Sequence, residues 1–456
     1  MSESVQHPDK SGVEEHPSRE VQSSGTVTRY QSLALLGSSL LAAVSTLLVT
    51  MIAQRALNGS ELTEFLLFWA ALFTVTGIIT GIQPEITRAV GTARTRAVAD
   101  RAASGRTVSA EGSAPQGARV VTVATALGAI AGALVLVSSP LWAGHQIPHS
   151  AAVGVTVMAV GVFLYALQAT MSGVTAGEDR WYLFAAVGGL ESAGRLILML
   201  AAALMIPSLA GLEVATVVPM GLWLILAFVT VSGRRLWAAR ADVPARRLSA
   251  NILWSFLSSA AAAVLMMGFP NVLKASGAAE SEPVVLGTLI LAISITRSPI
   301  MIPLQAFQGV AVSAFLKQRH RPVAAFIKPA AAVVAVGAAG ALAAYLVGPL
   351  LFRLIYPPAA GAESAYEAAA SGITLGALVF ASALLALMTL SGNMALAVNQ
   401  HRIYLAGWVV AAAVTLSLAF LVPAPLVPRA IVALAVGPVC GFVVHMVGVS
   451  VTAPKG

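Results

Sequence analysis

VVLGTLILAISITRSPIMIPLQAFQGVAV, residues 284–312, is an apolar run with one charge, Arg297, close to its middle. About 20 apolar residues at a rise of roughly 1.5 Å cover a hydrocarbon core of about 30 Å, so the run can cross a bilayer. An Arg at the centre of a spanning helix costs at least about 2.5 kcal/mol on insertion scales, and such residues face a bundle interior or a watery cavity. The run reads as one helix of a membrane bundle, and Arg297 as the marker of an internal site.

The rest of the chain agrees. Of 456 residues, 58% are hydrophobic and 10% charged, with a mean hydropathy of +0.85, whereas soluble proteins carry about 25% charged residues. Apolar runs long enough to span occur at 32–53, 65–86, 120–141, 151–172, 181–205, 214–231, 252–272, 284–305, 325–347, 370–390, 405–421 and 430–449. The fold class is therefore an all-α polytopic membrane protein with twelve transmembrane helices. Residues 1–28 are polar and lack the apolar core of a signal peptide, which predicts a disordered cytoplasmic tail. Of the 27 Lys and Arg, only Arg55, Lys274, Arg353 and Arg429 fall in the loops after odd-numbered spans; Arg195 and Arg297 lie inside spans, and the others lie on the side of the termini. This bias predicts both termini in the cytoplasm, in a cytoplasmic (inner) membrane. It also explains the net charge of +8 by topology and contact with anionic membrane lipids, with no nucleic-acid partner. The single cysteine, Cys440, gives no thiolate cluster, and no spacing suggests a metal or a cofactor. The stretch Gly91–Gly117, rich in Ala, Ser, Gly and Arg, is expected to be a flexible topogenic loop.

An internal repeat divides the chain. SSLLAAV at 38–44 returns as SSAAAAV at 258–264, TMSG at 170–173 as TLSG at 389–392, and Pro84 is answered by Pro303, at offsets of 219 or 220 residues. Each half holds an even number of helices, so both share one orientation, with the substrate path between them. The expected organisation is a tail (1–28), an N-terminal six-helix lobe (29–232), a cytoplasmic linker (233–250), a C-terminal six-helix lobe (251–451) and a short C-terminus (452–456).

Arg297 and Arg195 are each about 20 Å from the start of their spans by helical rise, one per lobe, and could face each other across the cleft. Arg297 is expected to face the lumen; pairing with a carboxylate or carbonyls of a neighbouring helix is the alternative. Glu191 precedes Arg195 by four residues and shares its helix face. It reads as the only carboxylate well inside a span, either binding a coupling proton or Na⁺ or serving only as the partner of Arg195. Arg55, ending the first span, is a headgroup contact or an interfacial anchor. Gln83, Gln168, Gln305 and Gln308 can bond sugar hydroxyls or tie helices together. Pro299 and Pro303 free carbonyls near Arg297 and allow the eighth helix to bend as a hinge. His445 reads as a hydrogen-bonded interhelical residue.

Four stretches carry a resemblance. QRALNGSELTEFLLF (54–68), TMSGVTAGEDRWYLFAAVGGLESAGRLILML (170–200), RSPIMIPLQAFQ (297–308) and LIYPPAAGAESAYEAAA (354–370) resemble polysaccharide-transporter and O-antigen flippase-like proteins. These belong to the multidrug/oligosaccharidyl-lipid/polysaccharide (MOP) exporter superfamily. The first span carries no charge and the second, as bounded above, none before Glu85. The resemblance implies a V-shaped pair of pseudo-symmetric six-helix bundles, MATE/MOP-like. It implies a flippase moving an isoprenoid-diphosphate-linked oligosaccharide or polysaccharide precursor by alternating access. Arg297, Arg195, Arg55, Gln305 and Gln308 would then bind substrate, because the planar guanidinium suits a diphosphate. Partners would be the lipid-linked glycan and glycan-assembly enzymes, around a monomeric transporter.

The nearest alternative is a MATE-type ion-coupled drug or metabolite antiporter, which would want acids where this chain has two arginines. Enzyme chemistry is not expected: the external loops hold no paired carboxylates, and no GxxxxGK[ST] phosphate loop occurs.

Overall fold

The computed structural model describes residues 28–104, 117–230, 233–234, 237–277, 283–306, 315, 321–358, 361–398 and 400–452. Twelve helices among them are long and apolar enough to cross a membrane. They are α1 (Tyr30–Ala56), α2 (Gly59–Asp100), α3 (Val120–Gln146), α4 (Ala151–Gly177), α5 (Trp181–Met205) and α6 (Leu209–Val229) in the first half. The second half has α7 (Ala245–Ala275), α8 (Pro283–Met301), α9 (Pro322–Ile355), α10 (Gly372–Ala397), α11 (His401–Leu421) and α12 (Leu426–Thr452).

Packing repeats between the halves, giving two six-helix lobes: α3 lies on α4 as α9 lies on α10, and α2 on α4 as α8 on α10. The outer faces stay apolar and exposed, as with Leu134, Val137 and Leu141 on α3 and Leu346, Leu350 and Leu354 on α9. Apolar stripes of this extent belong against lipid.

Local chemistry sets the helix ends. Asn58 and Glu61 form a capping box at the start of α2, satisfying orphan N–H groups reciprocally. The helix therefore begins at Gly59, not Phe65, and Glu61 and Glu64 belong to it. At the other end the polypeptide expected to be a loop from Gly91 is helical to Ser104, because Ala and Arg are good helix formers and Arg88 and Arg94 are tied down. Arg88 pairs with Glu85 at 2.7 Å and with Asp242 at 3.2 Å, and Arg94 with Asp179 at 2.9 Å. Residues 105–116 lie outside the described residues.

Three helices are interrupted. α2 changes course at Thr80–Gly81, where the Gly81 N–H bonds Ile78 O, three residues back. A Cβ on Gly81 would meet the Ser255 backbone at 2.8 Å, so only glycine lets α2 and α7 pass this closely. α6 contains a 3-10 turn at Val218–Gly221 around Pro219. α7 contains a π turn at Val264–Gly268, followed by Pro270.

The lobes join most firmly on the face opposite the termini. A single apolar core there mixes residues of both lobes, among them Val49, Phe65 and Leu209 with Leu286, Phe352 and Tyr356. Polar ties cross the same seam: Thr50 Oγ1 to Tyr356 OH at 2.8 Å, Thr63 Oγ1 to Pro283 O at 2.9 Å, and Gln54 Nε2 to Pro357 O. Burial pushes the Tyr356 phenol above its ordinary range and that of Tyr366 up to about 12, so both stay neutral in the seal. Toward the termini the apolar clusters belong to one lobe each, apart from Leu248 and Ile252 of α7 in the first-lobe core. The segment before α7 is fastened to the first lobe by Ala118 N to Val243 O at 3.0 Å and Ala241 N to Ala118 O at 2.9 Å.

Candidate functional site

Two guanidinium groups mark the two lobes, that of Arg195 buried and that of Arg297 half-buried. In the second, Arg297 projects from α8 against α7. Pro270 has no N–H to offer the carbonyl four residues back, that of Met266, and this carbonyl accepts a hydrogen bond from Arg297 Nη1. Arg297 Nε is buried without a hydrogen-bond partner, and among the described residues no carboxylate forms a salt bridge with Arg297. Beside the side chain is a cavity of about 10 Å³ lined by Thr296, Leu378, Ser382, Leu434 and Pro438, among others. That is room for about one water molecule. Every lining residue comes from the second lobe, so Arg297 points into its own bundle.

In the first lobe, Arg195 is 6% exposed and Glu191 accepts from its Nη2. Arg195 Nε donates to Thr216 O at 3.4 Å, and the guanidinium lies 5.1 Å from the Phe73 ring and 5.8 Å from the Trp69 ring. Gln168 Nε2 donates to the second Glu191 oxygen. The pair at four-residue spacing is thus real, and Gln168 ties α4 to α5. The two arginines do not face each other: each is enclosed by helices of its own lobe. The expectation of opposed arginines fails because each finds acceptors nearer home, a proline-freed carbonyl for Arg297 and an adjacent carboxylate for Arg195.

Other expected residues are scattered. Arg55 is exposed on the face opposite the termini and donates to Met51 O at 3.2 Å. α8 remains helical through Pro299 and Pro303 to Ala306. The side chains of Pro303 and Gln305 and the whole of Gln308 lie outside the described residues. His445 is fully buried, with Nδ1 2.9 Å from Ser391 Oγ and Nε2 3.1 Å from Tyr404 O, a tie between helices.

The sequence reading missed a second carboxylate group. Glu213 and Glu64 are buried, bridged by Ser150 and flanked by His149. Glu191 is therefore not the only carboxylate inside a helix: Ser208 caps α6 through Gly211 N, so α6 starts at Leu209 and includes Glu213. The N-x-x-E box at Asn58 and the Ser208 cap were the available signals.

No family model matches the chain. It is similar to the uncharacterized protein Rv3630 of Mycobacterium tuberculosis (strain ATCC 25618 / H37Rv), 33% identical over 438 residues, which are 94% of this chain and 94% of the relative. The uncharacterized protein Rv1510 of the same strain is 31% identical over 416 residues, 91% of this chain and 90% of the relative. Among solved structures, the fold is similar to an inward-facing conformation of a multidrug resistance MATE family transporter of the MOP superfamily. The TM-score is 0.67 at 14% identity, over 92% of this chain and 98% of that one. An outward-facing conformation described in the same words gives 0.61 at 15% identity, over 93% and 97%. A MOP superfamily transporter from Pyrococcus furiosus, for which reverse polarity of the binding pocket is said to suggest a different function, gives 0.64 at 15% identity, over 92% and 95%. The fold is that of MATE/MOP superfamily transporters.

Proposed function

We propose, for a chain that belongs to the family of the Mycobacterium tuberculosis proteins Rv3630 and Rv1510, that it is a membrane transporter of an anionic, lipid-linked substrate. The substrate class we assign is an isoprenoid-diphosphate-linked oligosaccharide or polysaccharide precursor, carried across the cytoplasmic membrane by alternating access, with both termini cytoplasmic. The observation that carries the reading is Arg297: a guanidinium deep in the second lobe, without a carboxylate salt bridge among the described residues, held by one carbonyl and with Nε unsatisfied. An uncompensated positive charge in a membrane bundle favours an anionic group. The cavity beside it admits about one water and is lined by the second lobe alone, so helices within that lobe must part before phosphate reaches Arg297. Arg195 and Arg55 would contact the headgroup later in its passage, with Gln305 and Gln308 at sugar hydroxyls and Pro299 and Pro303 as hinge. Glycan-assembly enzymes would supply the substrate to a monomeric transporter.

Ion-coupled antiport of a drug or metabolite is the second reading, favoured by the half-buried Glu191 carboxylate in the first lobe, the candidate for a coupling proton or Na⁺. The two readings separate in proteoliposomes containing the wild type, Arg297→Lys or Arg297→Ala. Flipping of a fluorescent lipid-linked oligosaccharide is expected to persist in part with Lys and to fall at least tenfold with Ala. Unchanged flipping in Arg297→Ala would sink the role given to that residue.

A further inference from the structure

On the opposite face, the first two turns of α2 and α6 and the residues just before α4 meet at a group of side chains that the transport reading does not use. Glu64, 4% exposed, accepts four contacts: His149 N at 2.9 Å, Ser150 N at 2.8 Å and Ser150 Oγ at 3.1 Å on one oxygen, and His149 Nδ1 at 2.7 Å on the other. Glu213, fully buried, has its Oε1 2.7 Å from the same Ser150 Oγ. Its Oε2 is buried with no partner. Gly154 keeps the space open, since a Cβ there would lie 3.1 Å from Glu213 Oε1.

Proton counting fixes the protonation state. Ser150 has one hydroxyl hydrogen and two carboxyl groups against it, so both contacts are attractive only if one carboxyl carries a proton. Glu64, with backbone N–H and imidazole donors already aimed at it, is the site for the charge. Glu213 has no other donor, and an ionised carboxylate there would be buried, unpaired and next to a like charge. The proton therefore belongs to Glu213, which donates to Ser150 Oγ, while the Ser150 hydroxyl donates to Glu64. The charged and titratable groups nearby are few. Glu64 faces the site from α2 and His149 from the turn before α4. From α5, Arg195 reaches only Thr216 O, three residues further along α6. No Lys or Arg among the described residues forms a salt bridge with either carboxylate.

We propose that Glu213 is a proton-binding site, loaded from the opposite face through His149, Glu64 and Ser150, and that its proton locks the seam between the lobes. His149 supplies the entrance, since its side chain is 71% exposed. Coupling to the seam runs through one peptide bond: Thr63, adjacent to Glu64, is the residue that bonds Pro283 O of the second lobe at 2.9 Å. With Glu213 protonated, the bridge holds the N-terminal end of α2 in place. Loss of the proton leaves two carboxylates competing for one hydroxyl; they separate, and the N-terminal end of α2 moves with Glu64. The inference does not depend on what the chain transports.

The test uses the full chain in lipid nanodiscs, without substrate. Infrared difference spectra are recorded across a pH series for the C=O stretch of a protonated carboxyl. In parallel, spin labels at Ser60 and Glu367, both exposed and in different lobes, report the seam in a Cys440→Ser background. A protonated carboxyl band is expected at neutral pH, absent in Glu213→Gln, and lost in the wild type over the same pH range in which the label distance lengthens. Glu213→Gln mimics the protonated acid, so its seam is expected to stay closed at every pH. An identical carboxyl spectrum in wild type and Glu213→Gln, or a label distance in the wild type that ignores pH, would overturn the proposal.

Discussion

Replacing Arg195 by Met probes the buried network of the first lobe. Arg195 is 6% exposed and its partner Glu191 has a side chain 14% exposed, so water cannot take over for a lost partner. Removing one member of a buried ion pair costs about 3–5 kcal/mol, because the remaining charge is left uncompensated. Loss of the Phe73 and Trp69 contacts adds about 0.5–2 kcal/mol. Against this, Gln168 still donates to Glu191, and a hydrogen bond to a charged group contributes about 1.5–3 kcal/mol. The expected net destabilisation is about 3 kcal/mol. Adding Glu191→Gln removes the orphaned charge and leaves two amides to pair across α4 and α5, so the double variant is expected within about 1 kcal/mol of the wild type. Unfolding in mixed micelles, followed by tryptophan fluorescence as the denaturing detergent fraction rises, measures the cycle. Effects that add within about 0.5 kcal/mol would refute the reasoning, since independent sites behave that way.

Tyr356→Phe deletes the buried hydroxyl contact to Thr50 across the seam and is expected to cost about 1 kcal/mol of closure, read as roughly fivefold faster maleimide labelling of a cysteine placed at the buried Ala362 in a Cys440→Ser background. Gly407→Ala would put a Cβ 2.1 Å from His445 Nε2; forcing that ring off Tyr404 O costs about 1–3 kcal/mol by overpacking, measured as a lower thermal midpoint. The Tyr366 phenol, raised by burial to about 12, keeps its proton in the fold where a free phenol at 10.0 would lose it. Its contribution is thus complete below pH 10 and lost as pH rises through about 12. Tyrosinate absorbance in wild type minus Tyr366→Phe checks this.

Much of the fold was legible because spans are a question of length and apolarity, and the repeat placed them in two equal lobes. Helix ends were less so. Hydropathy alone trimmed α2 to Phe65 and α6 to Val214, whereas capping by Asn58 and Ser208 extends both and brings Glu64 and Glu213 inside. The local pair Glu191–Arg195 could be read because four-residue spacing is a property of one helix. The partner of Arg297 could not: it depends on Pro270 stripping a donor from Met266 in another helix, and on how α7 and α8 are rotated against each other. The Ser150 bridge needs three helix starts to converge, which no spacing within one segment encodes.

The central claim is that this chain moves an anionic lipid-linked glycan, and one measurement addresses it most directly. Purified wild-type protein is reconstituted into proteoliposomes carrying a fluorescent isoprenoid-diphosphate oligosaccharide, and the fraction reachable by a membrane-impermeant quencher is followed with time. The account expects that fraction to rise faster than in protein-free vesicles, and a cationic drug to stay untransported. Drug movement without any change in the lipid-linked glycan would contradict it.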